Sequence, residues 1–320
     1  MGYMTGGIYH LGDPPSSDQG GTFERAKSTM RHWITPDGAA GPTGDAGFTP
    51  DHDRYHLYVA WNCPWAHRAL LGRVHYGLTD TIGVSYARPN RTDQGWVYDA
   101  DGPFSDPLRG VRAVHEVYSA DPSKYTGRLT VPVLWDKQKG RIVSNESADI
   151  LPMLGAFDSD ADDLYPAHLA DDIKTWNDLI YRTVNNGVYR AGFASTQEAY
   201  ADAATTLFET LDKIDAHLAT HRYLCGDTMT EADVRLFPTL ARFDVAYHYA
   251  FKCNLRKISD YANLWPYARA LYQRDGWAET VNFDIYKRGY FSPSEKRNPL
   301  GIIPIGPTVD WSEVPVFVGR

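Results

Sequence analysis

Cys63 is the residue of this chain best placed for chemistry. An apolar, strand-like run over Tyr55–Ala60 ends at Asn62-Cys63-Pro64, where a helical pattern begins. Backbone N–H groups and the positive end of a helix dipole favour a thiolate over a neutral thiol, so a cysteine at this point is a good nucleophile near neutral pH. Proline suits the first helical position. The alternative reading is a small buried hydrophobe, which is the ordinary role of a lone cysteine.

Position 66 indicates which kind of thiol chemistry to expect. A dithiol oxidoreductase would carry a second cysteine there, whereas this chain has Ala66. A mixed disulfide formed at Cys63 therefore needs an external thiol to resolve it, and we predict monothiol exchange. Cys225 and Cys253 lie far away in the sequence. Three scattered cysteines indicate reduced thiols, which we expect to be inert at the two distant positions.

A second group of residues suits a ligand that carries both a carboxylate and an ammonium. Ser144-Asn-Glu146-Ser147 opens a predicted helix and offers N–H groups, a hydroxyl and a carboxylate. Val131-Pro132 begins a predicted strand, and a cis bond there would turn the Val131 backbone outward toward a peptide-like ligand. Together these groups match the two ends of a γ-glutamyl group.

The elements that must position these residues form an α/β half. A strand at 55–60, a helix at 64–78 and a strand at 81–87 make a βαβ unit. Residues 131–143 predict a hairpin across Lys139-Gly140, followed by a helix at 145–157. The polar connection at 88–112 is too long for an ordinary loop, and Trp96 stands out inside it, so we predict an insertion with a role.

Composition excludes several classes of function. The net charge of -8 argues against a nucleic-acid partner, which normally needs a clustered basic face. No apolar segment approaches membrane-spanning length, and the N-terminus lacks a signal-peptide pattern, so we expect a cytoplasmic protein. The eleven histidines show no zinc-type spacing with cysteines or carboxylates, and no metal site is predicted.

The order of these elements resembles the glutathione transferases, whose thioredoxin-like domain has the same succession of strands and helices. Thr230-Glu-Ala-Asp233 resembles the N-capping box of their helical domain. A more specific resemblance is to the glutathionyl-hydroquinone reductases, the Xi class. It is carried by three motifs: Trp61-Asn-Cys63-Pro-Trp-Ala-His-Arg, Asn185-Asn-Gly-Val-Tyr189-Arg-Ala-Gly-Phe193 and Arg242-Phe-Asp-Val-Ala-Tyr247.

This resemblance implies an α/β plus all-α fold, with a thioredoxin-like N-terminal domain followed by an all-helical glutathione-transferase C-terminal domain. We expect an irregular N-terminal arm over 1–50, the thioredoxin-like glutathione-binding domain over 51–160, the helical domain over 161–288 and an irregular tail over 289–320. The resemblance also implies a homodimer formed through the helical domain.

The activity implied by the resemblance is the glutathione-dependent reduction of S-glutathionyl-hydroquinones to hydroquinones. Glutathione disulfide would form through a mixed disulfide between Cys63 and glutathione. Glutathione is then a cosubstrate, and no tightly bound cofactor is expected. A tyrosine hydroxyl would serve as a hydrogen-bond donor to the hydroquinone, which favours a keto-like tautomer and avoids a free aryl carbanion.

The resemblance also implies which residues form the site. Arg128 would pair with the glycyl carboxylate of glutathione, Glu146 with the ammonium and Ser147 with the γ-glutamyl carboxylate. The full glutathione set is Trp96, Arg128, Val131, Glu146 and Ser147, and the catalytic set is Cys63, Tyr189, Tyr247 and Tyr290. Trp96 would cover the tripeptide, and we assign the hydroxyl contacts most readily to Tyr247 and Tyr290.

Plainer roles exist for each of these residues. Trp96 would equally hold the insertion to its domain, Arg128 would be a solvated charge and Glu146 a favourable acid in a first helical turn. Any one of 21 tyrosines is more often a packing residue. Two other functions also stay open, namely an Omega-like thioltransferase or dehydroascorbate reductase, which needs no tyrosines, and a non-catalytic binding module of the same fold.

Overall fold

The computed structural model describes residues 2–12 and 21–316, and the chain forms two compact units. The first unit comprises Met1–Ser17 and Ala26–Asp162, and the second comprises Asp18–Arg25 and Asp163–Arg320. Each unit is built around its own core. Within the described ranges no helix has both the length and the apolar character needed to cross a membrane.

The first unit is an α/β domain built on a four-stranded sheet in the order β4-β3-β6-β7. Strand β3 is parallel to β4 and antiparallel to β6, which is antiparallel to β7. Its strands are β1 (Tyr3–Thr5), β2 (Ile8–His10), β3 (Tyr55–Ala60), β4 (Gly83–Ala87), β5 (Gly127–Arg128), β6 (Val133–Asp136) and β7 (Arg141–Ser144), and its helices are α1 (Pro64–His75), α2 (Val114–Ser119) and α3 (Ser147–Leu154).

The predicted βαβ unit is confirmed, with β3 and β4 joined through α1. All six residues of β3 are buried, as expected for a central strand covered on both faces. Helix α1 ends three residues before the predicted end at 78 because Gly77 takes a positive φ of 66°. The N–H groups of Gly77 and Leu78 then donate to Val74 and Arg73, which is a Schellman motif.

Close packing of α1 against α3 depends on Gly72. A Cβ at this position would lie 2.7 Å from Leu151 Cδ1 and 3.0 Å from Leu154 Cδ1. A side chain at this position would therefore displace the ends of Leu151 and Leu154. This contact holds α3, and with it the Glu146-Ser147 helix start, against the helix that Cys63 begins.

The N-terminal arm differs from the irregular segment predicted over 1–50. Its first residues form an antiparallel pair, β1 and β2, around Gly6-Gly7, and β1 also pairs with β5. These strands have no recognisable sequence pattern because each has only three residues and lies beside turn-forming glycines. Further along, the N–H of His32 donates to the Val143 carbonyl at 2.9 Å, which covers the edge of β7.

The second unit is all-helical, as predicted. Its α-helices are α4 (Ala170–Ile180), α5 (Gly187–Gly192), α6 (Gln197–Leu218), α7 (Glu231–Arg242), α8 (His248–Ala250), α9 (Leu264–Tyr272) and α10 (Phe283–Tyr290). Short 3₁₀ turns occupy Ala167–Leu169, Ile258–Asp260 and Ala278–Thr280, and two π-helical turns occupy Tyr181–Asn185 and Phe243–Tyr247.

The capping box predicted at the start of α7 is confirmed. The fully buried Asp233 carboxylate accepts the N–H of Thr230 at 2.8 Å and that of Leu224 at 3.0 Å. It also accepts the Tyr267 hydroxyl at 2.6 Å, which ties the start of α7 to α9. A buried carboxylate that accepts this many hydrogen bonds organises the helical core, and its acceptor sites are used within the protein.

Candidate active site

Cys63 lies where β3 gives way to α1, as the sequence predicted. It is the N-cap residue of α1, with extended backbone angles, and Pro64 is the first helical residue. Its N–H donates to Ala60 at 3.0 Å, and its carbonyl accepts the N–H of His67 at 3.1 Å. The thiol is therefore held at the N-terminus of a 12-residue helix, the position that the sequence predicted.

The Cys63 thiol directly contacts one of the predicted glutathione-binding residues. Cys63 Sγ lies 3.4 Å from the carbonyl oxygen of Val131, and the Val131-Pro132 peptide bond is cis, as predicted. Cys63 is 7% exposed and Val131 is 4% exposed. The structure thus brings together the nucleophile and the backbone expected to hold a peptide-like ligand.

Glu146 and Ser147 form the start of α3. Glu146 is the N-cap residue, and its Oε1 accepts the N–H of Ala148 at 3.0 Å. The Glu146 N–H donates to Ser144 Oγ at 3.1 Å, and Ser147 is buried as the first helical residue. Glu146, whose plainer role in the sequence analysis was an acid in the first helical turn, thus lies one residue earlier as the N-cap, where its carboxylate is held at a helix N-terminus.

Trp96 and Arg128 are placed differently from the other predicted glutathione-binding residues. Trp96 is buried, with the Arg91 guanidinium 4.0 Å from its ring centroid. Its backbone carbonyl accepts the N–H of Val114, so it anchors the insertion to the start of α2. Arg128 is exposed on β5. In the described part of the chain neither side chain has a hydrogen bond or ion pair with Cys63, Val131, Glu146 or Ser147.

The three predicted tyrosines converge within the helical unit. Tyr189 and Tyr290 have their hydroxyl oxygens 2.8 Å apart, and Tyr247 and Tyr290 have theirs 2.9 Å apart. Tyr290 is therefore the centre of a hydroxyl chain that we call the tyrosine chain, Tyr189–Tyr290–Tyr247. Residues separated by a hundred positions meet because α10 packs against the second π-helical turn, and the Tyr189 ring of α5 lies 5.9 Å from the Tyr247 ring.

The tyrosine chain has one more proton than it uses internally. Three hydroxyls carry three protons, and the two hydrogen bonds between them use two, so one proton is left for another acceptor. Tyr247 is fully buried, whereas Tyr189 and Tyr290 are half-buried. If the Tyr247 hydroxyl carried the remaining proton, solvent could not accept a hydrogen bond from it. This favours Tyr290 or Tyr189 as the hydroxyl that donates to a ligand.

Burial also keeps these hydroxyls protonated. It raises the pKa of Tyr247 and of Tyr290 well above the ordinary value of 10.0. Both phenols are therefore neutral hydrogen-bond donors throughout the physiological range. The arrangement can donate to an oxygen that gains negative charge, as an oxyanion hole does.

Local π-helical geometry places two of the tyrosines. The turn at Tyr181–Asn185 comes just before Tyr189, and the turn at Phe243–Tyr247 contains Tyr247. The Asn185 amide donates to Thr239 Oγ1 at 2.8 Å, and both residues are buried. Such widened turns often occur at functional sites because they shift the register of the residues that follow.

Sequence reasoning missed two arginines beside the tyrosine chain. Arg25, from the arm, lies 4.9 Å from the Tyr189 ring centroid, and its Nε donates to Asn186 Oδ1 at 3.1 Å. Arg242 is fully buried at the end of α7. The available signal for Arg242 was its position at the head of the Arg242–Tyr247 motif.

The remaining two cysteines are Cys225 and Cys253. Both are free thiols in the helical unit, and burial raises the pKa of Cys225 and of Cys253. A raised thiol pKa makes a poor nucleophile at neutral pH. Among the described residues, no group of three or more histidine, cysteine or acidic side chains is arranged to hold a metal ion.

Comparison with known protein families identifies both units. The family described as "Glutathione S-transferase, N-terminal domain" matches residues 62–156, and "Glutathione S-transferase, C-terminal domain" matches residues 197–270. Fold and sequence together therefore define a glutathione transferase, with a thioredoxin-like domain and a helical domain. The predicted fold class is confirmed.

Individual relatives identify the family within the glutathione transferases. The chain is 48% identical to the glutathionyl-hydroquinone reductase YqjG of Escherichia coli, over 98% of this chain and 97% of that one. It is 41% identical to the glutathionyl-hydroquinone reductase PcpF of Sphingobium chlorophenolicum, over 96% of each. The chain belongs to the glutathionyl-hydroquinone reductase family, the Xi class of glutathione transferases.

Solved structures agree with this assignment. The glutathione-bound structure of YqjG superposes with a TM-score of 0.87, covering 89% of this chain and 95% of that one. The Xi class transferase of Natrialba magadii superposes with a TM-score of 0.86 at 40% identity, covering 98% and 95%. The family resemblance drawn from the Cys63, Tyr189 and Tyr247 motifs is confirmed.

Proposed function

We propose that this protein reduces S-glutathionyl-hydroquinones to hydroquinones, with glutathione as the cosubstrate and glutathione disulfide as the second product. The tyrosine chain is the observation that carries this proposal, because it offers a hydroxyl proton beyond those used in its own hydrogen bonds. The relatives YqjG and PcpF, which bear the name of this activity, support it over nearly the whole chain.

The first half of the reaction breaks a carbon–sulfur bond. In the keto tautomer of the substrate, the ring carbon bonded to sulfur has gained a proton and the neighbouring hydroxyl has lost one. The Cys63 thiolate attacks the glutathionyl sulfur, and the carbon–sulfur electron pair moves into the ring and onto that oxygen. The products are the Cys63–glutathione mixed disulfide and a phenolate, so the ring is reduced while sulfur is oxidised.

The tyrosine chain acts on the oxygen that becomes negative. Tyr290 or Tyr189 donates its outward hydroxyl proton in a hydrogen bond to this oxygen, and the phenolate then takes up a proton to give the hydroquinone. Tyr247 stabilises the Tyr290 hydroxyl through the hydrogen bond between them. A second glutathione thiolate then attacks the glutathione sulfur of the mixed disulfide, which releases glutathione disulfide and restores the Cys63 thiolate.

The glutathione moiety would be held by the first unit. Val131 offers its backbone, Ser147 its hydroxyl and N–H to the γ-glutamyl carboxylate, and Glu146 its carboxylate to the ammonium. We assign Arg128 to the glycyl carboxylate, which its exposed side chain is free to approach, and Trp96 to the wall beside the tripeptide. We also propose a homodimer, and a cytoplasmic location consistent with three free cysteines.

A single assay tests the reaction, the cosubstrate and the nucleophile. Release of hydroquinone from a glutathionyl-hydroquinone is followed with added glutathione for the natural sequence, Cys63→Ala and Cys225→Ala. We expect loss of turnover in Cys63→Ala with glutathione binding retained, and normal turnover in Cys225→Ala, which removes a thiol of equal size. Retained turnover in Cys63→Ala would refute the mechanism.

An Omega-like thioltransferase or dehydroascorbate reductase is the second candidate. It is favoured by the 39% identity to a protein named glutathione S-transferase omega-like 2 of Schizosaccharomyces pombe, over 93% of this chain. Such an enzyme needs Cys63 but not the tyrosine chain. Tyr290→Phe separates the two, because it should slow release of hydroquinone and leave reduction of a small disulfide unchanged.

A further inference from the structure

Arg242 is a fully buried cation beside the tyrosine chain. It is the last residue of α7 and directly precedes the π-helical turn that contains Tyr247. Its guanidinium carbon lies 3.9 Å from the centroid of the Tyr286 ring, a cation–π contact, and its Nη1 donates to the Pro238 carbonyl at 2.8 Å. The cation is therefore fixed in place from two sides.

Arg242 is linked to the tyrosine chain through two neighbouring elements. Tyr286, whose ring it covers, lies one helical turn before Tyr290 on α10, and Arg242 directly precedes the turn that contains Tyr247. Burial raises the pKa of Tyr247 and of Tyr290, and the Arg242 charge opposes that rise. In a site shielded from water, a fixed charge of this kind has a much larger effect than it would at the surface.

We propose that Arg242 is a positioning residue for the reduction. Its positive charge stabilises the partial negative charge that develops on the tyrosine chain when the chain donates a hydrogen bond to the substrate oxygen. This inference rests on the proposed function. The Arg242 charge would not touch the substrate. It acts through Tyr247 and Tyr290, and because it is already in place, no reorganisation accompanies the reaction.

A merely structural role for Arg242 makes a different prediction. If the guanidinium only packs against Tyr286, its loss should slow every substrate by the same factor. If it stabilises developing negative charge, its loss should matter most for electron-rich hydroquinones. Chlorine substituents on the ring stabilise the phenolate by themselves, so their conjugates depend less on the protein.

The test measures turnover across glutathionyl conjugates of methyl-, unsubstituted and chlorinated hydroquinones. Arg242→Gln and Arg242→Met remove the charge, Arg242→Lys keeps it, and Arg288→Gln is the matched control. Arg288 is an exposed cation on α10 that pairs with Asp284 at 2.8 Å, so its removal changes net charge equally. Circular dichroism and glutathione binding establish that each variant is folded.

We expect Arg242→Gln to lose on the order of tenfold to hundredfold in kcat on the electron-rich conjugates, and clearly less on the chlorinated ones. Arg242→Met should behave in the same way, Arg242→Lys should recover most of the loss, and Arg288→Gln should match the natural protein. Equal losses across the series, or no loss, would overturn the inference while leaving the reductase function intact. Absence of turnover in the natural protein would overturn both.

Discussion

Replacing Tyr290 by phenylalanine should disturb the tyrosine chain more than replacing either of its neighbours. Tyr290 makes both hydrogen bonds of the chain, at 2.8 Å to Tyr189 and 2.9 Å to Tyr247. Its loss would leave the Tyr247 hydroxyl without this partner at a position that is fully buried. A buried hydroxyl deprived of its partner costs about 1–3 kcal/mol, so we expect Tyr290→Phe to cost ~2–3 kcal/mol in the free energy of unfolding.

The two end residues provide the comparison. Tyr247→Phe removes one hydrogen bond and the buried hydroxyl together, which should cost about 1 kcal/mol. Tyr189→Phe removes one hydrogen bond between half-buried groups that water can replace, and should cost less than about 1 kcal/mol. Each variant deletes one oxygen atom from a similar ring, so differences in size and shape are small.

Urea unfolding followed by fluorescence measures these costs, and hydroquinone release measures catalysis. We expect the order Tyr290, Tyr247, Tyr189 for destabilisation, and a loss in kcat on the order of a hundredfold for Tyr290→Phe, the value typical of one oxyanion donor. Equal stability losses in all three variants would refute the argument that Tyr290 is the centre of the chain. A loss of stability with unchanged kcat would show that the tyrosine chain contributes to folding and not to catalysis.

Three further predictions concern stability and assembly. Burial lowers the pKa of His56 from 6.5 to about 4, so the folded protein binds fewer protons than the unfolded chain between those pH values. The free energy of unfolding should therefore fall by ~3 kcal/mol as the pH drops through that window. Urea titrations at several pH values measure this, and His56→Gln should remove the pH dependence. Asp233→Ala should lower the free energy of unfolding by about 3–5 kcal/mol because it leaves three buried donors without their carboxylate, and a change below about 1 kcal/mol would contradict this. Light scattering should give twice the monomer mass, whereas a monomeric mass at working concentration would refute the homodimer.

The α/β half was predictable because its signals are local. A strand run that stops at Asn62-Cys63-Pro64, a glycine at the turn of the β6–β7 hairpin and the Ser144-Asn-Glu146-Ser147 run that opens a helix each act within a few residues. Helix ends were less accurate. The Gly77 Schellman motif that ends α1 depends on a backbone conformation that composition alone does not reveal.

The tyrosine chain could be predicted as a set of residues but not as a structure. The family resemblance implied Tyr189, Tyr247 and Tyr290, yet nothing in their spacing indicates that Tyr290 is the centre or that Tyr247 is fully buried. Both facts depend on two π-helical turns, which have no reliable sequence pattern. Arg242 was missed for a related reason, since an arginine side chain is rarely fully buried and its burial here depends on tertiary packing.

The two kinds of site residue make separable demands on a substrate. A disulfide that exchanges with Cys63 releases a thiolate, which is a stable leaving group that needs little help from a proton donor. A glutathionyl-hydroquinone releases charge onto a ring oxygen, and there a preorganised donor lowers the barrier. A protein confined to disulfide exchange would gain nothing from three linked hydroxyls that include the fully buried Tyr247, because moving a polar group out of water costs free energy. The tyrosine chain, more than the thiol, therefore argues for the reductase.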